Sequence, residues 1–427
     1  MGPEKILSDL IKINTVNPPG NEIEAAIYLK NLFEQAGVPG EIIETEKGRG
    51  NFIARMGSGS KSLLFLSHLD VVPAGDGWDF DPFSGEIRDG MVLGRGALDC
   101  KGLVAAEAFA FLRLAKEKTP LNGTLIFAAT ADEESGGNFG VKRLLQDFPE
   151  KLQADFAVNE GAEEPLTLHG KTIFFTQVGE KGTAWVRLTA KGVSCHGSIP
   201  TLGDNAVIKM VRALNALAEN QPQVVLIPEV KFMIQKLSDI MGENIGVDEH
   251  NVDTVLDNFE DRSFAETLRA MTRMTVSPNE VQGGSKTNVV PDVCSSNIDI
   301  RILPGQDQHY VLEKLRRYIG EEISIEMPNY HHPTFSSSQT GHYEAIVRAT
   351  REVAGEDVIC LPCISTGATD SRFLREAGIP SYGIGHMAEG FDRELWNTVH
   401  GKNEQIEMAS LQLKASFLEK LARQYLI

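Results

Sequence analysis

Between residues 4 and 13 apolar side chains recur every three or four positions, the spacing of an amphipathic helix, and Asn17-Pro18-Pro19-Gly20 then predicts a turn. A second helix is predicted through residues 25–35. Beyond it, short apolar runs alternate with helical patterns: a strand within 62–72, a helix over 102–116, and strands at 123–130 and 155–159. Strands that alternate with helices have both faces of their sheet covered, so the pattern predicts an α/β layered domain on a mostly parallel sheet.

The texture changes at Gly179-Glu180-Lys181-Gly182. From Thr183 to Ala190 small or polar residues alternate with apolar ones, as in a half-exposed antiparallel strand, and a new domain is expected to begin there. It should hold a helix over 205–219, a polar insertion through 248–261, strands at 271–277, 295–302 and 323–327, and a helix over 308–319. Residues 330–340 read as the linker back to the first domain. The expected organisation is a discontinuous catalytic domain, 1–181 with 333–427, interrupted by an α+β domain over 182–332. There is no internal repeat and no low-complexity tract.

Composition narrows the function. The 427 residues carry 59 Asp+Glu against 41 Lys+Arg, a formal net charge of -18. That balance repels nucleic-acid phosphates and anionic lipid, and no basic run offsets it, so neither nucleic acid nor membrane is an expected partner. Apolar runs stop well short of ~18 residues, and the opening MGPEKILSDL lacks a signal-peptide core, which points to a cytoplasmic protein. Five dispersed cysteines do not make a disulfide framework; Cys360 and Cys363 form a C-x-x-C without redox or zinc context and read as two small buried residues.

Several acids and histidines stand where chemistry is done. His68 and Asp70 lie two apart at the end of an apolar strand, so both can face one side; taken alone, the pair is better explained as a surface imidazole with a salt-bridged carboxylate. Asp99 immediately precedes the 102–116 helix and could cap it or bridge two cations. Glu133 and Glu134 follow a strand directly, and two adjacent carboxylates can divide labour, one binding metal and the other moving a proton, or simply form a solvated loop. Glu160 ends another strand. His68, Glu133, Glu134 and Glu160 thus all fall just past strand carboxyl ends, where open α/β sheets place ligand sites.

These residues and their flanking motifs resemble the dinuclear zinc aminoacylase, deacylase and carboxypeptidase family that includes acetylornithine deacetylase and succinyl-diaminopimelate desuccinylase. The resemblance runs nearly end to end: Ser67-His68-Leu69-Asp70, Asp81-Pro82-Phe83, Gly94 through Asp99 to Gly102, Asp132-Glu133-Glu134-Ser135-Gly136, His196-Gly197-Ser198, Asn288-Val289-Val290-Pro291, Asp299-Ile300-Arg301, Thr369-Asp370-Ser371-Arg372, and His400 with Glu404.

The resemblance implies a zinc-hydrolase fold with an inserted dimerisation or lid domain and two divalent metal ions, zinc first, with cobalt or manganese as alternatives. Asp99 would bridge them, His68 and Glu160 completing one site and Glu134 and His400 the other. Asp70 would orient His68. Glu133 would be the general base that generates a bridging hydroxide, and His196 would stabilise the oxyanion, either within its own chain or across a homodimer. Arg301, Asn288 and Arg372 match positions that hold a substrate carboxylate. Glu rather than Asp at position 160 points to an N-acyl amino acid, or the C-terminal residue of a short peptide, as the substrate whose amide is hydrolysed. A di- or tripeptidase acting on free amines is the alternative within enzymes, and a catalytically silent binding protein of this fold the alternative outside them.

Overall fold

The computed structural model describes residues 1–427 apart from Thr119, Glu163 and Asn244. The chain divides into two compact units, the first formed by Met1–Val178, Ser336–Cys363 and Thr369–Ile427, the second by Gly179–Phe335 with Ile364–Ala368. No helix among the described residues is long and apolar enough to cross a membrane.

In the first unit the early helices are α1 (Pro3–Ile11) and α2 (Glu22–Gln35). Strands β1 (Gly40–Glu46), β2 (Arg49–Gly57) and β3 (Lys61–His68) follow, then α3 (Lys101–Lys116), β4 (Gly123–Thr130), β5 (Phe156–Asn159) and β6 (Lys171–Glu180). Helix α4 (Gly341–Ala354), strand β7 (Ser381–Ile384) and helix α5 (Met408–Leu426) complete the scaffold. The sheet order is β1-β2-β4-β3-β5-β7-β6. Its centre, β4-β3-β5-β7, is parallel, whereas the β1/β2, β2/β4 and β6/β7 pairs are antiparallel. The mostly parallel sheet read from the sequence is therefore a mixed sheet with a parallel centre. Polar alternation in β1 and the turn between β1 and β2 conceal that antiparallel edge from a pattern search.

Period-2 alternation sends successive strand residues to opposite faces. Leu64, Leu66, Ile126 and Ala128 pack against Val141, Leu144 and Leu374 on one side. On the other, Phe33 of α2 meets Phe52 of β2 at 5.0 Å and Phe127 of β4 at 5.3 Å between ring centroids. Each such buried ring contributes on the order of 1.5–3 kcal/mol. This packing fixes the register in which His68, last of β3, stands opposite Thr130, last of β4.

The second unit is a four-stranded antiparallel sheet ordered Thr275–Gly283, Val293–Ile302, Gly182–Lys191, Ile323–His331. Val186, Leu188 and Ala190 bury one face against Met210, Leu217, Val311 and Leu315 from the helices Ala206–Glu219 and Gln308–Ile319, while Trp185 on the same strand is exposed. Three readings change here. The strand expected at 271–277 runs instead over Thr275–Gly283, an exposed edge whose bulge at Pro278–Glu280 accommodates the proline. The expected linker at 330–340 begins inside the strand Ile323–His331. The polar insertion expected at 248–261 contains the helix Val252–Asp257 and is flanked by the helices Pro228–Met241 and Arg262–Ala270, with Val230, Ile234, Leu237, Leu256 and Leu268 buried within polar surroundings.

Candidate metal centre

The carboxyl ends of β3, β4 and β5 gather the first-unit acids and histidines. His68 closes β3; the chain leaves β4 through Ala131 and Asp132 into the tight turn Glu133–Ser135; Glu160 follows β5. Asp99 comes from the loop ahead of α3, and the Asp99–Cys100 peptide is cis. Asp99 does not cap α3, because Cys100 occupies the cap position and makes no side-chain capping bond. The carboxylate is left for the site.

There it lies between two imidazoles. Asp99 Oδ1 is 3.0 Å from His68 Nε2, and Asp99 Oδ2 is 3.0 Å from His400 Nε2. Glu160 Oε2 joins the first group at 3.4 Å from His68 Nε2, and Glu134 Oε2 the second at 3.2 Å from His400 Nε2. Donor atoms of His68, Asp99, Cys100 and Glu160 all lie within 4.8 Å of one another, as do those of Asp99, Glu134 and His400. Two groups sharing one carboxylate are what a pair of bridged cations requires.

Electrostatics agree with that fit. Burial pushes Glu160 up to about 7, with Asp99 and Glu134 adding to the effect and His68 opposing it. Burial likewise raises Glu133 well above the carboxylate range, helped by Glu160, Asp370 and Glu134. Hydrogen bonds to Asp99 and Glu134 push His400 up to about 10. Burial works against a charged His68, but Cys100, Glu160, Asp70 and Asp99 together hold it well above the usual histidine range. Acids crowded out of water and imidazoles held protonated mark a site of strongly negative potential, which divalent cations would neutralise. Glu134 Oε1, buried and without a hydrogen-bond partner among the described residues, is a further acceptor for a cation.

Asp70 lies against His68 and also holds the turn beyond it. His68 Nδ1 is 2.9 Å from the Asp70 backbone oxygen and 3.5 Å from its carboxylate. The carboxylate also accepts the backbone N–H groups of Glu133 and Glu134, each at 3.1 Å, and the Asn17 amide at 2.9 Å. One residue therefore ties the imidazole to the turn that carries both glutamates.

Arg372 approaches the same turn, its guanidinium donating to the Gly136 oxygen at 3.3 Å and lying over the Phe373 ring. Its Nε is buried without a partner among the described residues. The other three expected residues belong to the second unit. Arg301 is already held by Asp299, at 2.7 and 3.1 Å, and by Thr183. His196 and Asn288 are neighbours, since Gly197 N–H donates to the Asn288 oxygen at 2.7 Å and His196 bridges to Val289. Ser198 N–H donates to His196 Nδ1 at 3.2 Å, so in the neutral ring the proton resides on Nε2.

Sequence reasoning named Glu404 and Asp132 as motif residues but gave them no role in holding this arrangement. Glu404 is fully buried; it accepts the N–H groups of Gly96, Leu98 and Asp99 at 3.0, 2.8 and 3.1 Å and pairs with Arg95 at 2.7 Å. It thus holds the Asp99 loop to the segment that carries His400. Its place with His400 among the resembled family's landmarks was the signal for it. Asn17, Glu22, Arg49 and Asp132 also form a buried polar group beside the Glu133 turn, and nothing local in the sequence joins them. No disulfide joins the five cysteines; Cys363 is buried and Cys360 partly so.

Comparison with known proteins gives these contacts a setting. The family model described as "Peptidase family M20/M25/M40" matches residues 64–424. A probable succinyl-diaminopimelate desuccinylase of Staphylococcus epidermidis is 29% identical over 378 residues, covering 87% of this chain and 85% of the relative. The succinyl-diaminopimelate desuccinylase of Ehrlichia canis is 27% identical over 435 residues, covering 99% and 98%. Among solved structures, a metallo-carboxypeptidase from Sulfolobus solfataricus superposes with a TM-score of 0.73 at 23% identity, covering 100% of this chain and 99% of that one, and so shares the fold. The match over most of its length means that this chain belongs to peptidase family M20/M25/M40.

Proposed function

We propose that the protein is a dinuclear zinc amidohydrolase that cleaves N-acyl amino acids, with N-succinyl and N-acetyl compounds as the first substrates to test. The desuccinylase relatives support this reading, as does Glu at position 160, the residue that deacylases of the resembled family tend to carry. The observation that carries it is Asp99 facing His68 with one oxygen and His400 with the other. His68 with Glu160, and Glu134 with His400, would hold the two cations on either side of Asp99. Bound there, divalent cations acidify water and polarise an amide carbonyl.

The remaining work falls to the chain's own side chains. Glu133 takes the proton from the attacking water and returns it to the leaving amine; burial raises its basicity toward the range in which both transfers are easy. Asp70 fixes the backbone from which Glu133 projects. Arg372, whose Nε has no hydrogen-bond partner among the described residues, is freer than the Asp299-paired Arg301 to receive a substrate carboxylate, and Asn288 is retained as a further contact. His196, protonated on Nε2, is in the form that donates to an oxyanion. In this reading residues 1–181 with 333–427 are the catalytic domain and 182–332 the dimerisation or lid domain of a cytoplasmic homodimer. Exposed Val193, Ile199, Leu202, Ile208 and Val211 support the dimer.

The test is Glu133→Ala, assayed for both turnover and bound metal. We expect kcat to fall by at least about 10²-fold with the metal content of the parent retained. Loss of metal would make Glu133 a ligand, and unchanged turnover would remove it from the mechanism.

A further inference from the structure

Glu133 follows Asp132, a non-glycine residue at φ +73°, in the left-handed region that side chains rarely adopt. That conformation turns the chain out of β4 and into the Glu133–Ser135 turn. Something must hold it, and the contacts show what does. Asp132 Oδ2 accepts the Phe139 N–H at 3.0 Å, closing the loop on itself. Asp132 Oδ1 accepts from the Asn17 amide at 3.1 Å and from the Arg49 guanidinium at 2.9 Å. Arg49 is in turn gripped by Glu22 through two bonds, 2.8 and 2.6 Å, and lies over the Phe139 ring at 5.2 Å.

These groups are out of water: the side chains of Glu22, Arg49 and Asp132 are 0%, 7% and 2% exposed. Asn17 continues the chain of contacts to Asp70, which receives the Glu133 and Glu134 amides. Arg49 is the cation bonded to the buried carboxylates of Glu22 and Asp132, whereas Asp70 faces His68, with Lys101 nearby. Removal of Arg49 would leave Glu22 and Asp132 repelling one another at low dielectric, with the strained turn as the element free to give way.

We propose that Arg49 is a positioning residue for Glu133: clamped by Glu22, it holds Asp132 in the left-handed turn from which Glu133 is presented, and so sets turnover without touching substrate or metal ligands. The inference rests on the reading of Glu133 as general base, because a displaced base lowers kcat, while Glu134 on the same turn stays tied to His400 by its side chain and to Asp70 by its amide.

The experiment compares Arg49→Met, Arg49→Lys and Glu22→Gln with the parent, each metal-loaded and normalised to folded, metal-bearing chain. For Arg49→Met, kcat should fall about 10- to 100-fold with KM within about twofold. Metal content should be retained, and amide hydrogen exchange in the 131–137 segment should be faster. Arg49→Lys should recover part of the loss, and Glu22→Gln should lose less in the same direction. The proposal is overturned if Arg49→Met keeps kcat within about twofold of the parent, if KM rises while kcat holds, or if metal is lost while kcat per loaded chain is unchanged. A Glu133→Ala enzyme that retains parental turnover would overturn the reading of the base itself, whatever Arg49 does.

Discussion

Glu133 and Glu134 are adjacent yet differently engaged. Glu134 reaches His400, while Glu133 is surrounded by acids that, with burial, raise its proton affinity. The separate roles proposed for them rest on backbone fixation, since both amides bond to the one Asp70 carboxylate. A second residue gives a prediction away from the site. His386 is buried, stacked 3.9 Å from the Phe417 ring centroid, with Nε2 2.8 Å from Thr350 Oγ1. Thr350 donates its own proton to the Ile346 oxygen, so His386 Nε2 carries the hydrogen, and the buried Nδ1 has no hydrogen-bond partner among the described residues. Burial, with Lys414 nearby, pulls the imidazole down to about 3. Its folded pKa is below its unfolded value of about 6.5, so the unfolded chain binds more protons between them. Stability should therefore fall as pH drops from about 6.5 toward about 3. His386→Gln, which keeps a donor for Thr350 but does not titrate, should show a shallower loss over that window in urea titrations.

At the level of elements, the site is built by loops clamped to rigid strand ends. Glu404 shows the principle, for its carboxylate gathers three backbone N–H groups and Arg95 and so fixes the loop that delivers Asp99. Glu404→Gln would turn one acceptor into a donor facing N–H groups and leave Arg95 without its buried counter-charge. Metal affinity should drop about 10- to 100-fold, measurable by competition with a chromophoric chelator. Strands β3 and β4 were legible because they are uninterrupted apolar runs ending in polar residues of evident chemistry, His68 in one case and Asp132 to Glu134 in the other. Strand β1 and the exposed edge Thr275–Gly283 were not, because an edge half open to water carries no hydrophobic signature. Arg49 and Glu22 were also hidden: in sequence each looks like an ordinary surface charge, and only sheet topology brings residues 17, 22, 49 and 132 together.

For the molecule as a whole, a net charge of -18 reads from sequence mainly as solvation and as avoidance of polyanions. The structure shows that several of those carboxylates are concentrated, largely withdrawn from water, around the buried His68 and the more exposed His400, an arrangement that costs folding free energy unless cations enter it. Metal is thus tied to the account at two levels, chemistry and charge balance. The most direct measurement is hydrolysis of an N-succinyl or N-acetyl amino acid by chelator-stripped protein as zinc is returned stepwise. The account predicts no turnover without metal and activity that climbs and levels at about two equivalents per chain. Full activity in metal-free protein, or failure to bind any divalent ion, would contradict it.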